Sequence, residues 1–319
     1  MIYAGIDEAG YGPLLGPLCV GASAFRLPDG QPSHAPNLWK LLDGGVCRAP
    51  KDARRRVAVA DSKKLKGVGG AAAHPLRHLE RGVLAFAGGE IPATDRELFD
   101  RLGTAVHPGR ATPWHRQPLS LPVALSAAEA AIARNMVARA LERAGASTAH
   151  LAVSALDAPA FNALYGTLQN KASVNMSLVF DALRTVDLLR GDEPAVVAID
   201  RQGGRAAYAQ ALSDHVARGA RVRTIEETDE RSSYEVGDGL FVSFEVEAET
   251  AHLPVALASM AAKFVRELFM RRLNAFFAER APDLSPTAGY VTDGRRYLAE
   301  VKPILVREGI PEAEFARVV

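Results

Sequence analysis

Acidic residues in three short stretches of this 319-residue chain are placed so that they could act together. Asp7 and Glu8 close an apolar run and stand directly before Ala9-Gly10-Tyr11-Gly12-Pro13. Asp200 ends the run Val196-Val197-Ala198-Ile199, and Glu247 and Glu249 follow a third apolar stretch. Carboxylates at the ends of neighbouring strands suit Mg²⁺ or Mn²⁺, which take hard oxygen ligands and leave positions open for phosphate and water. An isolated Asp-Glu pair before a turn is more often a turn or cap residue, so the weight lies in the set. Strict alternation sends Asp7 and Glu8 to opposite faces, so the strand has to twist or break at Glu8 if both serve one site. The same rule puts Glu247 and Glu249, two apart, on one face. No His or Cys grouping has zinc spacing. The sequence motif of a nucleophilic serine is also absent.

The elements that must carry these residues follow from apolar periodicity. Residues 2–7 and 17–25 read as two strands joined by a Gly-rich loop and paired antiparallel. Residues 27–50 are rich in proline and polar groups, with one helical fragment at 38–42. The stretch 66–125 reads as an insertion, punctuated by Gly69-Gly70, Gly88-Gly89 and six prolines, with a short helix at 95–102. Ser126 with Glu129 three residues later predicts a capping box on a helix that stops at Gly145. A strand at 150–154, a helix at 173–189 and a strand at 195–199 then form a parallel crossover. Residues 205–218 read as a helix, and 220–247 as a strand and hairpin with arms at 222–227 and 240–248. A long helix at 255–279 and a last one at 294–308 complete the chain. The sum is a single α/β domain, 1–319, with a mixed sheet and an enlarged helix-hairpin region at 201–247.

Composition narrows the function classes. The net charge is +1, with 48% hydrophobic and 24% charged residues, which excludes a polycationic binder and fits a folded globular chain. No apolar run reaches the roughly 18 to 20 residues a spanning helix needs. Two cysteines and a start without a signal-like segment lead us to expect a cytoplasmic protein. Contacts with nucleic acid would have to come from local clusters: Lys51 with Arg54 to Arg56, Lys63 with Lys64 and Lys66, and Arg266 with Arg271 and Arg272. Taken alone, each reads as a solvated face.

The opening Gly5-Ile6-Asp7-Glu8-Ala9-Gly10-Tyr11-Gly12-Pro13 resembles that of ribonucleases HII and HIII, the type 2 ribonuclease H family. Further matches come in family order: Asp61-Ser62-Lys63-Lys64-Leu65, Ala198-Ile199-Asp200, the stretch 247–267 with Ala258-Ser259-Met260-Ala261-Ala262-Lys263, and Gly289-Tyr290-Val291-Thr292. The resemblance implies a ribonuclease H-like mixed five-stranded sheet flanked by helices, with a C-terminal helical extension. It implies Asp7, Glu8 and Asp200 as ligands of a two-metal Mg²⁺ or Mn²⁺ site, with Glu249 as the fourth because it stands ten residues before Ser259. Glu267 is then structural. One ion would activate the attacking water and the other stabilise the leaving 3′ oxygen, giving 5′-phosphate and 3′-hydroxyl ends. The same resemblance implies Lys63, Lys64 and Lys263 as phosphate contacts, Tyr290 as a ring near the ribose, and Gly10, Tyr11 and Gly12 as the loop that reads the 2′-hydroxyl.

Four features depart from the family. Tyr11 stands where the family has a basic residue, Glu247 replaces a lysine, the N-terminal substrate-binding domain of HIII enzymes is missing, and the segments 66–125 and 201–247 are enlarged. The expected activity is therefore endonucleolytic cleavage of RNA paired to or embedded in DNA. A nuclease of the same fold with another nucleic-acid substrate, or a non-catalytic nucleic-acid binder, are the alternatives.

Overall fold

The computed structural model describes residues 1–28, 35–67, 74–105, 112–201 and 205–318. Gly69-Gly70 and Pro108 of the expected insertion lie outside the described residues. The chain opens with β1 (Ile2–Ala9) and β2 (Leu18–Arg26), followed by α1 (Leu38–Leu41), the two-residue strands β3 (Val46–Cys47) and β4 (Val57–Ala58), and α2 (Ser62–Leu65). Next come α3 (Arg77–Phe86), α4 (Asp95–Arg101), α5 (Ala127–Arg143) and β5 (Ser147–Leu156), then α6 (Ala158–Leu168), α7 (Lys171–Arg190) and β6 (Ala195–Asp200). The final third holds α8 (Ala209–His215), β7 (Val222–Glu227), β8 (Arg231–Val236), β9 (Leu240–Glu245), α9 (Ala248–Ala251), α10 (Leu253–Ala278), α11 (Val291–Glu308) and α12 (Glu312–Phe315).

A mixed sheet of seven strands in the order β5-β2-β1-β6-β9-β8-β7 forms the centre. β1 pairs antiparallel with β2 and parallel with β6, and β6 pairs parallel with β9. The expected five strands are all present as β5, β2, β1, β6 and β9. Two more extend the sheet: β7, the first of the expected arms, and β8 at residues 231–236, which lies between the two arms and pairs with both. Ser232, Ser233 and Glu235 hide that strand in a polar stretch, while Tyr234 and Val236 supply its buried face. The helix expected at 205–218 is shorter, Ala209–His215, and β5 is longer than expected. The capping box on α5 is present, with Ser126 and Glu129 bonding each other's backbone N–H groups.

β1 is buried on both sides, which is why it reads as an almost unbroken apolar run. Ile2, Ala4 and Ile6 pack toward α7 with Val174, Val179 and Leu183. Tyr3 faces the other way, into a core shared with Phe25, Leu257, Phe264 and Phe269. Leu79 and Val83 of α3 and Leu98 and Phe99 of α4 belong to that second core. α10 lies against the sheet where side chains are smallest. A Cβ on Gly5 would stand 2.1 Å from Val255 N and one on Gly21 2.3 Å from Ala258 O, so both positions require glycine. Ser23 Oγ donates to Pro254 O at 2.8 Å between them. This close seating fixes where α10 presents Ser259 and Lys263.

Candidate active site

β1 and β6 run side by side as far as Ile6 and Ile199, so their last carboxylates emerge together. Asp7, Glu8 and Asp200 each offer an oxygen within 4.8 Å of the other two. No break at Glu8 is needed, because β1 stays paired with β2 through Ala9. The Asp7 carboxylate instead turns back to accept the Glu8 N–H at 2.7 Å, at the point where the pairing with β6 has ended.

Electrostatics set this cluster apart from the other acidic residues of the chain. Burial, then the charges of Glu8 and Asp200, hold the Asp7 carboxyl well above the usual carboxylate range, against hydrogen bonds from Ser259 and the Glu8 backbone. Burial, then Glu249, pushes Asp200 up to about 7, although the Ala248 N–H donates to it at 3.1 Å. Like charges sharing a half-buried site with no cation retain protons. Glu249 sits in the first turn of α9, where its charge helps to raise Asp200, but it is not one of the three carboxylates that lie within 4.8 Å of one another. Glu267 lies elsewhere, with Lys66 Nζ at 2.7 Å and Lys263 Nζ at 3.1 Å. Glu247 corrects an expectation: β9 ends at Glu245, so strand alternation no longer governs residues 247–249. Glu247 is exposed, with φ of 52°, at the N-terminus of α9.

Ser259 ties α10 to this chemistry. Its hydroxyl donates to Ser62 Oγ at 3.0 Å and its nearness lowers the proton affinity of Asp7, and Ser62 opens the helix carrying Lys63 and Lys64. Asp61 caps that helix by accepting the Lys63 N–H at 2.9 Å. Both lysine side chains point to solvent, whereas Lys263 is mostly covered and held by Glu267.

The Gly-rich loop after Glu8 is braced from beneath by two arginines. Arg266 is 1% exposed and donates to Leu15 O and Ala288 O at 3.3 and 2.9 Å. Arg317 is 3% exposed and donates to Gly10 O at 2.7 Å and to Pro13 O. Gly10 has φ of 86°, and a Cβ there would meet Pro17 O at 2.6 Å. Leu14 and Leu15 donate to Gly289 O, which brings Tyr290 beside the loop with its ring 55% exposed. Gly12 faces open space. Tyr11 carries the Lys171 ammonium 5.0 Å from its ring centroid, so the cation that Tyr11 lacks arrives from α7.

The basic run on α10 is not a nucleic-acid face as a unit. Arg266 and Arg272 are buried, and Arg272 makes two 2.6 Å bonds to the equally buried Asp95. Sequence reasoning had Ser62 and Ser259 only as members of matched motifs, and it missed Lys171 and Arg317, together with a network under α9. There Tyr3 Oη lies 2.6 Å from His252 Nδ1, and His252 Nε2 lies 3.0 Å from Glu245 Oε2. Although burial opposes it, His252, Ser243 and Arg231 hold Glu245 down to about 2. The parallel register Asp200↔Glu245 is the one signal that could have found Glu245, and it needs the strand pairing to be known.

No family model and no curated protein matches the chain. Among solved structures it is similar to the ribonuclease HII of Archaeoglobus fulgidus in its complex with PCNA, at 17% identity and TM-score 0.43, covering 100% of this chain and 94% of that one. It is also similar to the ribonuclease H2 of Pyrococcus horikoshii OT3, at 14% identity and TM-score 0.45, covering 99% and 92%. Bst-RNase HIII in complex with Mn²⁺ aligns at 17% identity and TM-score 0.42, covering 99% and 66%. At such scores and identities these likenesses add nothing to the strand order and site geometry described above.

Proposed function

We propose that the protein is a metal-dependent endonuclease that cuts RNA paired to or embedded in DNA, leaving 5′-phosphate and 3′-hydroxyl ends. The observation that carries this reading is the meeting of Asp7, Glu8 and Asp200 within 4.8 Å at the ends of two parallel strands. The donor set fits Mg²⁺ or Mn²⁺: every ligand atom is a carboxylate oxygen, and the three carboxylates crowd one another at a single place. When bound, such ions supply activated water and neutralise charge on the phosphate.

The chain's own residues do the rest. Asp7, Glu8 and Asp200 would hold the cations directly, and Glu249 would join them from α9. Ser259, beside Asp7 on α10, favours the charged form of that carboxylate. Exposed Lys63 and Lys64 stand ready as flexible phosphate donors. The backbone at Gly10 and Gly12 can approach a ribose 2′-hydroxyl closely, and the exposed Tyr290 ring offers a stacking face beside it. A non-catalytic binder would gain nothing from carboxylates crowded where phosphate has to lie. Tyr11 supports one second reading, the same chemistry on a different nucleic acid, because a neutral ring occupies the middle of the loop.

A cleavage panel tests both. A hybrid, a DNA duplex with one ribonucleotide, single-stranded RNA and all-DNA duplex would be incubated with Mg²⁺, Mn²⁺ or chelator. Cleavage only beside ribose in duplex, abolished by chelator, is expected. Cleavage of all-DNA or single-stranded RNA alone would favour the second reading, and no cleavage of any substrate would end both.

A further inference from the structure

Around the loop that follows Glu8 stands a group of cations with no carboxylate partner among the described residues. Lys171 is the first residue of α7, at the positive end of a 20-residue helix whose first turn carries no acid. Among the described residues it forms no ion pair, and partial burial and the charge of Arg317 both lower its proton affinity. Arg317 and Arg266 lie behind the same loop, almost fully buried and likewise without carboxylate partners among the described residues. Arg317 Nε and Nη1 and Arg266 Nε have no hydrogen-bond partner among the described residues.

An ammonium is placed against these three penalties only if something else gains from it. The Tyr11 ring holds the flexible side chain by its face without neutralising the charge, which a carboxylate would do. The Lys171 ammonium has three N–H donors, and none is taken by a hydrogen bond among the described residues. The loop that carries Tyr11 begins two residues after Glu8, so this anion site adjoins the carboxylate cluster. A strand of nucleic acid crossing both places would satisfy each with its phosphates. We infer that Lys171, propped on Tyr11, contacts a backbone phosphate of the bound strand beside the cleavage position and so supplies the charge that the Gly10–Gly12 loop lacks. This rests on the nuclease reading above.

Binding of labelled hybrid and of all-DNA duplex would be followed by fluorescence anisotropy over a salt series, using the full chain with Asp7→Asn to keep the strands intact. Lys171→Gln is expected to weaken both duplexes alike and to lower the slope of log K against log salt by about 1. Lys171→Arg should keep the slope. Thermal melting of Lys171→Gln should show a protein at least as stable as its parent, because the change relieves repulsion from Arg317 and the helix end. A lysine with only a structural role would lose stability and leave the slope unchanged. If the parent binds and the Lys171→Gln slope equals that of the parent, the inference is overturned while the nuclease reading stands. If the parent binds neither duplex, the nuclease reading falls as well.

Discussion

Asp95 and Glu267 are buried to much the same degree as Asp7 and Asp200, yet their surroundings are opposite. Asp95 accepts from both Nε and Nη2 of Arg272, and Glu267 lies between two lysines that hold its carboxyl low against the effect of burial. Asp7 and Asp200 meet mainly other carboxylates, and their carboxyl groups are held high. The first pair joins α10 to the segments packed against it, and the second opens toward solvent at strand ends. The same residue types in one fold therefore divide into groups that complete the protein's own charge balance and groups that leave it unfinished. A ligand can be recognised only by the second kind.

Breaking the satisfied pair should produce the largest effect. Arg272→Ala leaves the Asp95 carboxylate 0% exposed and without its counter-ion, which costs about 3–5 kcal/mol. Denaturant titration should show this loss, while the fraction still folded keeps its cleavage rate. A loss under about 1 kcal/mol would mean that Asp95 finds another partner or protonates cheaply.

The unfinished group should respond the other way. Asp7→Asn keeps shape but removes a negative charge that the cations need, so single-turnover cleavage should fall at least about a hundredfold, or about 2.7 kcal/mol. The metal-free variant should nevertheless melt no lower than the parent, because the substitution removes repulsion among Asp7, Glu8 and Asp200. Near-normal cleavage by a well-folded variant would place the chemistry elsewhere.

The two groups also differ in how far the sequence revealed them. Asp7, Glu8 and Asp200 were legible because each ends an apolar run, and strand ends can be read from the residues that precede them. Their shared face was not legible, since it depends on β1 and β6 parting after Ile6 and Ile199. Arg266 and Arg272 read as solvated because charge is ordinarily exposed, and only the seating of α10 in the core shows them buried. Arg317 and Lys171 reach the Gly10–Gly12 loop from distant parts of the chain, where no local pattern reports them. β8 escaped notice because Ser232 and Ser233 bury polar side chains within the sheet.

The smallest effect, and the one that separates the two groups most cleanly, is the pH dependence of metal-free stability. Asp200 titrates near 7 in the folded protein and near 4 in the unfolded chain. Between those values the folded state binds more protons than the unfolded state, so stability falls as pH rises, and the loss is complete above about 7. Glu245 is shifted down to about 2, so its contribution is present above about 4.5 and is lost only in acid, outside this window. Burial lowers His115 and His150, which makes stability rise with pH up to the ordinary histidine value and would mask the Asp200 slope in the wild-type curve alone. Comparing the wild type with Asp200→Asn removes the histidines, because both proteins carry them. The melting temperature of the variant should exceed that of the wild type by a margin close to zero near pH 4 that grows to the order of a few degrees by pH 7 and then levels off. Saturating Mg²⁺ should reverse the sign of that margin at pH 7 and do little near pH 4, where the carboxyl groups are protonated in either case. A margin that is flat across the range would show that the carboxylates of this site already find their balance within the protein, and the contrast with Asp95 and Glu267 would disappear.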